Sequence, residues 1–161
     1  MSIYGQRFVG RSAVVTGGAS GLGRAVALRI VAEGGSVVLW DNDAGRLAHT
    51  AAEIGVEGSL VVDVADAGAV TRATAETMAV LGKLDILIAS AGITGATAAL
   101  HEFPVESWRN VIDVNLNGLF YCCRALVPMM LANGYGRIVN VSSVAGKEGN
   151  PCASALSLIH I

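Results

Sequence analysis

The stretch Ala13-Val14-Val15-Thr16-Gly17-Gly18-Ala19-Ser20-Gly21-Leu22-Gly23 decides the fold. A short, partly β-branched apolar run breaks into glycines and then turns helix-patterned. This is the opening of a βαβ unit built to hold a phosphate group. Glycine permits backbone angles that other residues resist, and it lets the chain approach a ligand without a Cβ in the way. A helix opening at Leu22 aims its free N–H groups and positive dipole end at a pyrophosphate. Glycines also mark ordinary tight turns, so the context decides. Here a strand precedes the glycines, a helix follows, and Asp41 closes the next apolar strand, Val37-Val38-Leu39-Trp40. That acid lies 18 residues beyond Gly23, near the spacing at which a carboxylate reaches an adenosine ribose.

Outward from this turn, apolar runs recur at Ala13–Val15, Val37–Trp40, Leu60–Val62, Leu84–Ala89 and Arg137–Val141. Between them lie helix-patterned segments at Leu22–Ala32, Ala44–Ile54, Ala67–Leu81 and a long Val105–Ala132 that is interrupted near Asn115. Apolar strands separated by helices predict a parallel sheet with helices on both faces, and right-handed crossovers favour the doubly wound, Rossmann-like arrangement. The expected strand order is 3-2-1-4-5. Asp66 is placed to cap the helix at Ala67, Gly34-Gly35 to end the first helix and Asn133-Gly134 to end the last. With 161 residues, the chain is one domain's worth.

Composition excludes several function classes. Hydrophobic residues make up 53% and charged residues 15%, against disorder. The net charge is −2, and nine Arg and two Lys are scattered singly, which gives nucleic acid nothing to bind. Three cysteines, two of them adjacent at Cys122-Cys123, fit neither a disulfide framework nor a zinc spacing, so no metal is expected and the compartment is expected to be cytoplasmic. His49 and His101 read as surface residues, and Trp108 and Phe120 as packing residues. No signal peptide is recognised at the N-terminus, and no apolar run of about 18 residues is expected to span a membrane.

Taken together, these pieces resemble the short-chain dehydrogenase/reductase family from about Phe8 to Ala155. The Thr-Gly-x-x-x-Gly-x-Gly turn is similar to the family's phosphate loop, which makes Gly17, Ser20, Gly21, Leu22 and Gly23 cofactor-binding candidates along with Asp41. Asp63-Val64 resembles the adenine-contacting pair, with the carboxylate accepting from the adenine amino group and the valine packing on the ring. Ala89-Ser90-Ala91-Gly92 stands where the family has Asn-Asn-Ala-Gly. Ala89, Ala91 and Gly92 are expected to approach the cofactor by backbone, with some rigidity lost with the two asparagines. Asn115 matches the asparagine that holds a proton-relay water, and Ser143 matches the serine that hydrogen-bonds the substrate oxygen.

The resemblance implies an oxidoreductase that moves hydride between NAD and an alcohol or ketone. Asp41 would repel the 2′-phosphate of NADP, although Arg46 stands five residues further on. Gly146-Lys147-Glu148-Gly149-Asn150-Pro151 resembles members acting on sugar acids and polyols, and the overall pattern resembles 3-oxoacyl-carrier-protein reductases. The implied assembly is a homo-oligomer, dimer or tetramer, without nucleic-acid or membrane partners.

One family feature is absent. The catalytic Tyr-x-x-x-Lys supplies a general acid/base and, one helical turn later, the lysine that lowers the tyrosine's pKa. Counting the family's usual 13 residues from Ser143 lands on Leu156, and the lysine position lands on His160. The segment Leu156-Ser157-Leu158-Ile159-His160-Ile161 is what CTG TCT CTT ATA CAC ATC encodes, the mosaic end of a transposon adapter. Residues 1–155 are therefore expected to be a partial dinucleotide-binding domain and 156–161 a foreign tail, with the fold incomplete at its C-terminus. His160 is not expected to act as a base, since no helix is expected to position it. The competing reading is a non-catalytic dinucleotide-binding or regulatory protein.

Overall fold

Side-chain alternation along the strands sorts the core into two layers. In the computed structural model, which describes residues 5–159, β1 (Ser12–Thr16), β2 (Ser36–Asp41), β3 (Gly58–Val61), β4 (Ile86–Ala89) and β5 (Arg137–Asn140) form one sheet of order β3-β2-β1-β4-β5, all pairs parallel. Ala13, Val15, Val37, Leu39, Ile86 and Ile88 face one side, where they pack with Ala27, Ile30, Leu47 and Ile54. These last four lie on α1 (Gly21–Ala32) and α2 (Ala44–Ile54). Val14, Val38, Trp40, Leu87 and Ala89 face the other, with Val70, Ala73, Cys122, Leu126 and Met130. Those belong to α3 (Ala67–Leu81) and α5 (Gly118–Ala132). Strands buried on both faces read as unbroken apolar runs because period two delivers residues to two cores at once.

The expected boundaries hold for α2 and α3 and shift slightly elsewhere. β3 starts at Gly58 because the ladder pairs Val38 with Gly58, before the apolar run begins. β4 spans Ile86–Ala89, and just before it the Asp85 carboxylate accepts from the Ser12 amide at 3.0 Å and meets Lys83 Nζ at 3.1 Å and Arg11 at 3.2 Å. Burial raises the Asp85 pKa, but these partners outweigh it and hold the carboxyl below its usual value. Asp66 caps α3 by accepting from Gly68 N, and Gly34 and Gly134 adopt positive φ just past the ends of α1 and α5.

The long segment expected over Val105–Ala132 is three pieces in one helical path. α4 (Val105–Ile112) passes through a π-helical turn, Asp113–Asn117, into α5. This 28-residue path is long and apolar enough to cross a membrane by length and composition, which corrects the expectation that no such run exists. It is a packed element of the domain, with Val111, Gly118, Cys122, Leu126 and Met130 buried. Burial pushes the Cys122 thiol up to about 12, so it stays protonated. Phe120, expected to pack, is 58% exposed and lies against Tyr121, because it falls on the helix face opposite Cys122 and Leu126. Trp108 is half-buried, edge-on to Phe103. His49 and His101 are exposed, as expected.

Beyond the exposed edge strand β5 come two short helices, α6 (Ala145–Glu148) and α7 (Ser154–Ile159). The segment read as a foreign tail is thus helical through Ile159. Ser157 is buried, and α7 packs on α4 and α6. His160 and Ile161, like residues 1–4, lie outside the described residues. Near the N-terminus, Arg7 and Arg29 both bind the buried carboxylate of Glu33, one Arg7 bond measuring 2.8 Å. The Arg7 guanidinium, helped by Arg29, holds the Glu33 carboxyl at about 2.

Candidate functional site

The C-terminal ends of β1, β2 and β4 open into a cleft of about 490 Å³. Crevices outside the carboxyl ends of strands are where open parallel sheets bind ligands. Among the residues singled out from sequence, Gly17, Ser20, Gly21, Leu22, Asp41, Asp63, Val64, Ala91 and Gly92 line it. Two glycines are required by geometry. Gly17 has φ +65°, and a Cβ there would lie 2.9 Å from the Ala91 backbone. A Cβ on Gly23 would lie 2.2 Å from the Gly17 carbonyl oxygen. Gly23 therefore sits behind the loop, letting α1 start against it, and does not line the cleft.

Asp41 fastens the loop to the end of β2. One of its carboxylate oxygens accepts from the Ala19 amide and the other from the Asp43 amide, each at 3.0 Å. On the opposite wall, the Thr16 hydroxyl accepts from the amides of Ser90 and Ala91, both at 3.1 Å. Thr16 thus ties the start of the glycine-rich loop to the segment after β4, at the place where Asn-Asn was missing. Asp63 accepts from the Ala65 amide through one oxygen. Val64 is buried, and α5 approaches it closely because position 118 is glycine: a Cβ there would come within 2.8 Å of Val64.

Asn115 sits in the π-helical turn and clamps Ile93 at two points. Its Oδ1 accepts from Ile93 N and its Nδ2 donates to Ile93 O, both at 2.9 Å. With Thr16 and Ala89 it lines a small cavity that adjoins the cleft and shares Val64, Ala91 and Val141 with it. Ser143 stands apart from these. It lies three residues beyond β5, half-buried, and its Oγ accepts from Ala145 N at 3.2 Å at the start of α6. Ser143 is not among the residues that line the cleft.

Sequence reasoning missed several lining residues: Asn42, Asp43, Ile93, Asn110, Val114 and Val141. A signal existed for Asp43, since a short acid before a helix pattern caps it, and its side chain does accept from Arg46 N at 3.0 Å. Val114 and Val141 are ordinary apolar residues with no local mark. Among the described residues no cluster of His, Cys, Asp and Glu could hold a metal ion.

Comparison with known proteins accords with this geometry. The family model described as short chain dehydrogenase matches residues 11–157. The chain belongs to the short chain dehydrogenase family. A 2-dehydro-3-deoxy-L-rhamnonate dehydrogenase (NAD(+)) of Sphingomonas sp. (strain SKA58) is 62% identical over 157 residues, covering 98% of this chain and 63% of the relative. A 3-oxoacyl-(acyl-carrier-protein) reductase of Staphylococcus aureus (strain Mu50) is 38% identical over 148 residues, covering 88% of this chain and 59% of the relative. The crystal structure of NAD+-bound xylitol dehydrogenase superimposes with a TM-score of 0.91 at 35% identity, covering 94% of this chain and 60% of that one. This short chain dehydrogenase sequence thus spans about three-fifths of the length of those relatives, and the family match ends inside α7.

Proposed function

We propose that this chain is the dinucleotide-binding part of an NAD-dependent oxidoreductase acting on an alcohol or ketone. One observation carries the reading: the loop Gly17–Gly23 is held open over the cleft and locked to Asp41 through the Ala19 amide. The cradle suits a dinucleotide, because Gly17 and Gly21 line the cleft without side chains and the space at the Cβ position of Gly21 is open. Gly17, Ser20, Gly21 and Leu22 would face the pyrophosphate, with Gly23 supporting them from behind. Asp41 would accept from the ribose hydroxyls, Asp63 and Val64 would take the adenine, and Ala89, Ala91 and Gly92 would border the nicotinamide side. When bound, NAD supplies the hydride acceptor at nicotinamide C4. Ser143 would donate to or accept from the substrate oxygen, and Asn115 would hold the Ile93 loop and a proton-relay water. The name of the 62%-identical relative supports a sugar acid as the substrate class, and that of the xylitol dehydrogenase neighbour a polyol.

The test is nucleotide titration of the purified chain. NADH should bind at least about tenfold more tightly than NADPH, and Asp41→Ala should erode that preference. Equal affinity for both cofactors in the unmutated chain would overturn the reading.

A second reading, a dinucleotide-binding protein without catalysis, rests on Leu156 in α7, where the family's tyrosine would stand. We propose instead that residues 1–155 belong to the enzyme domain and 156–161 derive from adapter DNA. Reading the source DNA past codon 155 separates the two: a tyrosine at 156 and a lysine at 160 select the enzyme. Exposed Phe120 and Leu131 on α5 support a homo-oligomer, dimer or tetramer. The free thiols of Cys122, Cys123 and Cys152 support a reducing, cytoplasmic setting.

A further inference from the structure

At the adenosine end of the cleft the charges are arranged in layers. Asp41 faces the cleft with both oxygens engaged by backbone amides, one of them that of Asp43. The Asp43 carboxylate in turn accepts from Arg46 N at 3.0 Å and meets Arg46 Nε at 3.3 Å. Arg46 lines both the cleft and an adjoining groove of about 520 Å³ that runs over Ser20 and Gly21. Two more basic side chains line this groove, Arg24 and His49, and both pair with Glu53. The two arginines lining this groove, Arg46 and Arg24, are thus each held by a carboxylate.

We infer that Asp43 is a cofactor-specificity residue: it holds the Arg46 guanidinium, which would otherwise face a phosphate on the 2′ oxygen of the adenosine. This rests on the NAD reading above and deepens it. Asp41 alone does not account for discrimination here, because an unrestrained arginine five residues away would offset its charge. The pairing leaves the corner with two carboxylates against one cation that is already bound. The same side chain also caps α2, so removing it entirely would confuse specificity with helix stability. Asp43→Ser separates the two roles, since serine caps a helix N-terminus well and bears no charge.

The experiment is calorimetric titration of the full chain with adenosine 5′-monophosphate and adenosine 2′,5′-bisphosphate. Neither probe requires turnover. In the unmutated chain the monophosphate should bind more tightly. In Asp43→Ser the bisphosphate should gain roughly 1.5-fold to fivefold relative to the monophosphate, the range for an exposed charge pair released to a new partner. The gain should vanish in Asp43→Ser/Arg46→Gln. Arg46→Gln alone should leave the discrimination unchanged, and this arm reads the same inference without touching the cap. If Asp43→Ser folds and discriminates as the unmutated chain does, or if its gain persists in Asp43→Ser/Arg46→Gln, Asp43 is not the specificity residue. If neither nucleotide binds the unmutated chain, the NAD reading falls and this inference falls with it.

Discussion

At the residue scale, the phosphate loop separates two reasons for glycine. Gly21 has φ +53° with nothing within 4 Å of a Cβ, so alanine there meets only backbone strain, about 1–2 kcal/mol. Gly23→Ala instead drives a Cβ into the Gly17 carbonyl, a backbone group that cannot swing aside. Chemical denaturation should therefore rank Gly23→Ala as clearly more destabilising than Gly21→Ala, and its loss should extend to nucleotide binding. The reverse order would mean that the loop yields more easily than its packing implies. Asn115 offers a second test. Replacing it with alanine removes two hydrogen bonds to Ile93, and the expected loss is about 1–3 kcal/mol of unfolding free energy.

At the element scale, the segment before β1 is fastened to the end of α1 through Glu33. A carboxyl held at about 2 by Arg7 and Arg29 lies below its ordinary value of 4.5. Its contribution is present above pH 4.5 and is lost as pH falls toward 2, since the unfolded chain takes up the proton first. Glu33→Gln should therefore flatten the acid limb of the stability profile between those values, measured by thermal melts across pH. An unchanged acid limb would show that other carboxylates set it. The other exposed element is β5. It pairs on one side with β4, and Ile138 and Val139 are 42% and 51% exposed. An edge of this kind, with Arg137 as its one charged residue, templates pairing with another chain. Val139→Lys should raise the concentration at which the chain begins to associate, as read by light scattering.

At the scale of the whole molecule, the cleft proposed to hold the dinucleotide is assembled within the described strands, whereas the family's proton donor has no counterpart at the matching positions. The positions matching the family's tyrosine and lysine hold Leu156 and His160. The 161-residue chain is expected to bind NADH and to turn over no alcohol, because a missing general acid/base alone is worth about 10²–10⁴-fold in rate. Turnover by purified chain that survives Ser143→Ala but disappears on further purification would be contamination. Turnover that is lost with Ser143→Ala would overturn the expectation.

The sequence by itself determined the sheet order, the limits of α2 and α3, the glycine-rich turn between β1 and α1 and the acid at the end of β2. Each of these is written in local signals: apolar runs, glycines at a turn, a cap, and a spacing along one chain. The break near Asn115 was legible too, but not its form as a π-helical turn, nor the bonds by which Asn115 reaches the Ile93 backbone across the fold. Only the tertiary structure decided which glycine lines the cleft and which supports it. Gly17 and Gly23 look alike in sequence, and they differ in what stands opposite their missing Cβ. Thr16 as a tie to the loop after β4, Asp43 as the partner of Arg46, and Val114 and Val141 as walls were likewise decided in space. A hydrogen bond between residues 74 apart in the chain, such as that from Ser90 to Thr16, leaves no periodic trace along the chain. The burial of one helix face and the exposure of Phe120 on the other depend on what packs beside it, and composition alone cannot state that.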